Sequence, residues 1–141
     1  MKLEELMAMW DEDSKIDWTA PGLAAIGIPK LHNKYLKSFT VDRMRLRRCE
    51  NDLRELINLK YRYYSGYLDQ EELNEHGWDQ YKIKHKTKSG VEKTLEGDAD
   101  ILKMQDRIEQ LEERTKYLDA VMKQISNSSF NIRAYIDWEK F

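Results

Sequence analysis

The chain has 141 residues, of which 35% are charged and 40% hydrophobic, with a formal net charge of −2. This is the length of one domain, and two prolines with six glycines exclude collagen-like and Pro/Gly-rich disordered classes. No uncharged apolar stretch reaches the roughly 18 residues of a membrane span, the N-terminal run is acidic where a signal peptide is basic and apolar, and a lone Cys49 makes no intrachain disulfide, a combination that predicts a cytosolic protein.

The small net charge hides a segregation. Residues 1–29 carry net −4, 30–62 net +6, 63–80 net −5, 81–94 net +4 and 95–141 net −3. Two basic blocks in an acidic frame attract polyanions through counterion release; they also suit solvated helix faces.

Residues 2–13 predict a short amphipathic helix with Leu3, Leu6, Met7 and Trp10 on one side. Residues 14–29 predict a linker, because Pro21, Gly22, Gly27 and Pro29 oppose continuous helix. From Pro29 a long basic helix follows, with proline in its first turn. Its seam is Tyr35, Phe39, Asp42, Leu46, Cys49, Leu53, Leu56, Lys60 and Tyr63, a heptad pattern with two charged intruders, Asp42 and Lys60. Gly66 supplies the stop, since glycine suits the left-handed position past a helix end.

Residues 67–80 form an acidic connector. Tyr81, Ile83, His85 and Thr87 then alternate with Lys82, Lys84, Lys86 and Lys88; with a Ser89-Gly90 turn and a return over Val91–Leu95, this predicts a β-hairpin with four lysines on one face. Asp98 is an N-cap candidate for a second long helix. Its seam is Ile101, Met104, Ile108, Leu111, Thr115, Leu118, Met122 and Ile125, and it needs a partner, either the first long helix or another subunit. Asn127-Ser128-Ser129 interrupts the pattern, and a short final helix carries Phe130, Ala134, Trp138 and Phe141 on a face suited to an oligomer contact.

The expected architecture is mainly α: one domain over 1–141, with an N-terminal helix and linker (1–29), a basic long helix (30–66), a connector and hairpin (67–97) and oligomerisation helices (98–141). The predicted oligomer contacts are Ile101, Met104, Ile108, Leu111, Leu118, Met122, Ile125, Phe130, Trp138 and Phe141.

Enzyme signatures do not occur. There is no glycine-rich phosphate loop, and His32, His76 and His85 lack metal-ligand spacing with Cys49, so neither catalysis, metal nor cofactor is expected. The strongest functional pattern is Lys60-Tyr61-Arg62-Tyr63-Tyr64, cations alternating with aromatics at the end of the basic helix. Single-stranded nucleic acid needs cations along its phosphates and flat rings under its bases. Tyrosines at helical spacing serve as core more often. The other candidate contacts are Arg43 and Arg47, one helical turn apart, and the hairpin lysines Lys82, Lys84, Lys86 and Lys88.

Residues 28–36 (Ile-Pro-Lys-Leu-His-Asn-Lys-Tyr-Leu), 59–66 (Leu-Lys-Tyr-Arg-Tyr-Tyr-Ser-Gly) and 129–141 (Ser-Phe-Asn-Ile-Arg-Ala-Tyr-Ile-Asp-Trp-Glu-Lys-Phe) occur here in order. From about residue 28 onward the chain resembles the UvsY recombination mediators of tailed bacteriophages. The resemblance implies a ring-like homo-oligomer of six or seven subunits, acting in the cytoplasm of the infected host cell. It further implies binding to single-stranded DNA without catalysis, and help for a RecA-type recombinase in replacing the single-strand-binding protein. In that family two basic residues shortly before the Tyr-Tyr-Ser-Gly stop contribute to DNA binding; Lys60 matches one, and Asn58 stands at the other. The competing reading is a coiled-coil structural or adaptor protein with no nucleic-acid role.

Overall fold

A computed structural model describes residues 2–81 and 87–140. Five helices lie among the described residues: α1 (Leu3–Asp13), α2 (Pro21–Tyr64), α3 (Gln70–His76), α4 (Lys88–Glu96) and α5 (Ala99–Glu139). The chain divides into two compact units, Met1–Arg45 with Gln110–Phe141, and Leu46–Glu109.

In the first unit, Leu6 of α1, Tyr35 of α2, and Leu118, Val121, Met122 and Ile125 of α5 form the core. Leu6, Tyr35, Leu118 and Ile125 are essentially solvent-free, each stabilising the unit by about 1.5–3 kcal/mol. Trp10 meets Tyr35 edge-on at 5.4 Å, and Asp13 accepts hydrogen bonds from the Tyr35 hydroxyl and the Lys34 ammonium. Tyr35 of α2 packs in the cluster that holds α5 residues 118–125, whereas Asp42, further along α2, meets Arg114, earlier in α5, so these segments run antiparallel.

In the second unit, Val91 and Leu95 of α4 and Ile101 of α5 are buried, with Leu53, Leu56, Tyr61 and Tyr64 of α2 packed against them. Helix α2 ends where expected. Gly66 sits at φ +80, its amide donates to Tyr63 O and the Tyr67 amide to Arg62 O, a Schellman closure. Helix α3 closes in the same way on Gly77, with Trp78 N donating to Leu73 O.

Three expectations change. The linker over 14–29 is helical from Pro21, with Pro29 inside α2. A proline there removes the amide that would bond the Ala25 carbonyl; Ala25 and Pro29 are both exposed, so that carbonyl lies on the solvent side, while Ile28 and Leu31 pack on the core.

The return strand of the hairpin is helix α4. Thr87 accepts from the Gly90 amide as N-cap, and Val91, Thr94 and Leu95 stand at the i, i+3, i+4 spacing of one helical face rather than alternating across a strand. The outgoing strand, with Lys82, Lys84 and Lys86, lies outside the described residues.

The break at 127–129 is absent from α5. Ser126 Oγ donates to Met122 O and Ser128 Oγ to Gln124 O, so these hydroxyls bond within the helix instead of competing with it. There is accordingly no separate short C-terminal helix.

Candidate nucleic-acid interface

The charged intruders on the α2 seam are buried and paired. Lys60 has a side chain only 8% exposed, and its Nζ lies 3.2 Å from Asp98 and 2.8 Å from Asp100. The same ammonium sits 4.4 Å from the centre of the Trp78 ring, a cation–π contact. Tyr64 donates its hydroxyl to Asp98, whose other oxygen caps α5 by accepting from the amides of Asp100 and Ile101. Asp98 is thus the N-cap the sequence suggested, and also the hub of a buried polar network.

The electrostatics follow. Burial pulls the Lys60 ammonium down, but hydrogen bonds to Asp100 and Asp98 outweigh it, and its pKa is raised. Burial pushes Asp98 up, but the bonds from Tyr64, the Ile101 amide and Lys60 prevail and lower it. Tyr64 is raised, by burial first and then by its bond to the Asp98 carboxylate.

The neighbouring candidates are also engaged. Tyr61 packs on the Val91/Leu95/Ile101 core. Tyr63 and Tyr64 form a ring cluster with Tyr81, and Tyr63 also meets Trp78. Arg62 remains half-exposed, but its Nη2 bonds both carboxylate oxygens of Glu72, at 3.0 and 2.8 Å. Lys60 is therefore not a solvent-facing cation, and Tyr61 and Tyr64 serve the core, as tyrosines at helical spacing do most often.

Arg43 and Arg47 are exposed, Arg43 with its guanidinium 5.6 Å from the Phe39 ring. Neither makes an ion pair among the described residues. Lys88, in the first turn of α4, is exposed beside Glu92 at 3.8 Å.

The α5 seam is closed by the chain itself: Ile101, Ile108, Leu111, Leu118, Met122 and Ile125 are buried and Met104 half-buried. Packing within the chain covers the six buried ones, and Met104 keeps part of its surface. Phe130 and Trp138 differ, at 66% and 76% exposed, and Phe141 lies outside the described residues. Sequence reasoning missed Asp98, Asp100 and Trp78 as partners of Lys60, and Glu72 as partner of Arg62. A basic residue on an apolar seam was the available signal for the first group, because a buried cation requires a counter-charge.

Among the described residues no group of three or more His, Cys, Asp or Glu side chains is placed to hold a metal, and no helix is long and apolar enough to cross a membrane. The geometry defines a mainly helical class of chain in which, among the described residues, the charged seams are neutralised inside and Arg43 and Arg47 on the first long helix have no ion partner. Over residues 9–141 it matches the family model described as "Recombination, repair and ssDNA binding protein UvsY", and it belongs to that family.

The fold is that of bacteriophage T4 recombination mediator protein UvsY. One crystal structure of that protein, lattice type II, aligns with 100% of this chain and 97% of its own, at 23% identity and a TM-score of 0.82. Another, lattice type IV, aligns with 100% and 99%, at 21% identity and a TM-score of 0.86. No curated protein matches the chain in sequence.

Proposed function

We propose that this chain is a recombination mediator. It binds single-stranded DNA, works as a homo-oligomeric ring of six or seven subunits, and promotes loading of a RecA-type recombinase onto DNA covered by single-strand-binding protein, without catalysis of its own. Family membership over residues 9–141 is the observation that carries this reading. The exposed, unpaired Arg43 and Arg47 support a phosphate-contact role for α2, with Arg62 contributing once released from Glu72. Phe130 and Trp138, large and exposed at one helix end, support self-association. A ring that repeats one weak cationic patch per subunit binds a strand tightly through avidity.

The test is fluorescence anisotropy of oligo-dT against salt, with light scattering for subunit number. Arg43→Ala with Arg47→Ala makes the salt dependence shallower by about 1.4 per chain engaged, at about 0.7 per phosphate contact. Lys60→Ala lowers thermal stability and leaves that slope unchanged, because a buried lysine releases no counterion. An oligomer blind to oligo-dT at low salt would refute DNA binding and leave the adaptor reading.

A further inference from the structure

Four exposed lysines of this chain have an acid close by on their own helix or its end. Lys15 pairs with Glu12, Lys88 with Glu92, Lys116 with Glu113 and Lys123 with Asp119, each within one helical turn. Residues 30–41 of α2 offer no such acid: they hold Lys30, Lys34 and Lys37 and not one acid. Lysines three and four positions apart share a face and repel each other. All three are exposed, and Lys30 and Lys37 have no ion partner among the described residues.

These lysines line an open groove of about 680 Å³ within the first unit, together with Asn33, Ser38, Leu31, Gly27 and Asp13. Asp13 is its one carboxylate, and it holds Lys34 at 2.7 Å. Leu31 is the one large apolar residue of its lining, set among three lysines, Asn33 and Ser38. The groove offers three ammonium groups in a row, advancing 1.5 Å per residue and hence about 6 Å from Lys30 to Lys34, with an amide and a hydroxyl beside them. Lysine is a point-charge partner for phosphate and imposes no base preference.

We propose that the Lys30–Lys34–Lys37 groove is a phosphodiester-binding site for the backbone of single-stranded DNA, separate from the arginines of α2, with the Asp13 carboxylate as an internal competitor for Lys34. The inference rests on the DNA-binding reading above and adds a site to it. Substituting Lys30→Gln with Lys37→Gln removes two exposed charges that have no ion partner among the described residues. In an oligo-dT titration between 50 and 200 mM salt, the variant's salt slope is shallower by about 1.4 per chain engaged, so over this range the wild type loses roughly sevenfold more affinity than the variant.

Asp13→Asn works in the opposite direction. It keeps an oxygen to accept from Tyr35, frees Lys34, and steepens the slope by about 0.7. A double variant with the wild-type slope, in a wild type that binds oligo-dT, overturns this proposal alone. A wild type that leaves oligo-dT unbound at 50 mM salt overturns it together with the reading it rests on. If poly-glutamate binds the wild type but not the double variant while the DNA slope stays unchanged, the groove serves an acidic protein segment and the proposal is overturned.

Discussion

The two units solve one problem, a charge on an apolar helix seam, in different ways. In the first, Asp42 is met by Arg114 of α5 through two nitrogen–oxygen contacts, at 3.0 and 3.3 Å, with Arg45 of its own helix at 3.6 Å. In the second, Lys60 is met by two aspartates at the start of α5 and covered by Trp78. The planar guanidinium fork of Arg114 reaches both carboxylate oxygens at once. The ammonium needs several groups, and the same Asp98 also caps a helix and anchors Tyr64. The second arrangement therefore concentrates more interactions on a single residue.

The largest effect expected from this contrast is at Asp98. Asp98→Ala strands the buried Lys60 beside the exposed Asp100 alone and removes a cap, at a cost of about 3–5 kcal/mol, read from urea denaturation. Asp42→Ala costs about 2 kcal/mol, because the Arg114 side chain is 14% exposed and keeps some hydration. Equal losses at the two sites would refute the contrast.

A smaller difference is expected with pH. Lys60 and Tyr64 have raised pKa values, so their contribution is complete below their ordinary 10.5 and 10.0 and is lost as pH rises further. Asp98 is lowered, so its contribution is present above about 3.8 and is lost as pH falls. A melting series in which Lys60→Met has a shallower alkaline decline than the wild type, the Tyr64 part remaining, confirms the assignment; a decline as steep as the wild type's rejects it. The smallest effect is at Glu72→Gln. The partly exposed bridge to Arg62 contributes under about 1 kcal/mol to stability, and freeing Arg62 raises oligo-dT affinity about two- to fivefold.

Much of this was legible in the sequence. Leu6 and Trp10 marked α1, Gly66 marked the end of α2, Asp98 marked the cap of α5, and the 3–4 spacing marked both seams. What misled was local chemistry settled by tertiary context. Pro29 reads as a helix breaker, but its missing bond falls on the exposed side of α2 while Ile28 and Leu31 dock on the core. Asn127-Ser128-Ser129 reads as a break, but the Ser128 hydroxyl, like that of Ser126 just before it, bonds back to the preceding turn. Val91, Thr94 and Leu95 are apolar or β-branched and suit a strand by composition, but their spacing is helical and the Thr87 cap starts the helix. At the site, the basic–aromatic run at 60–64 was visible, but its counter-charges lie at Glu72, Asp98 and Asp100, up to 40 residues away along the chain, where no local pattern points to them.

The continuity of α5 through residues 127–129 has a mechanical consequence. Phe130 and Trp138 are carried on the same rod as the buried Ile125 and Ile132, so their bearing around the helix axis is geared to the core. Inserting one residue between Ser128 and Phe130 would turn both aromatics by about 100° and advance them by about 1.5 Å, a rotation that a flexible joint at the same place would absorb.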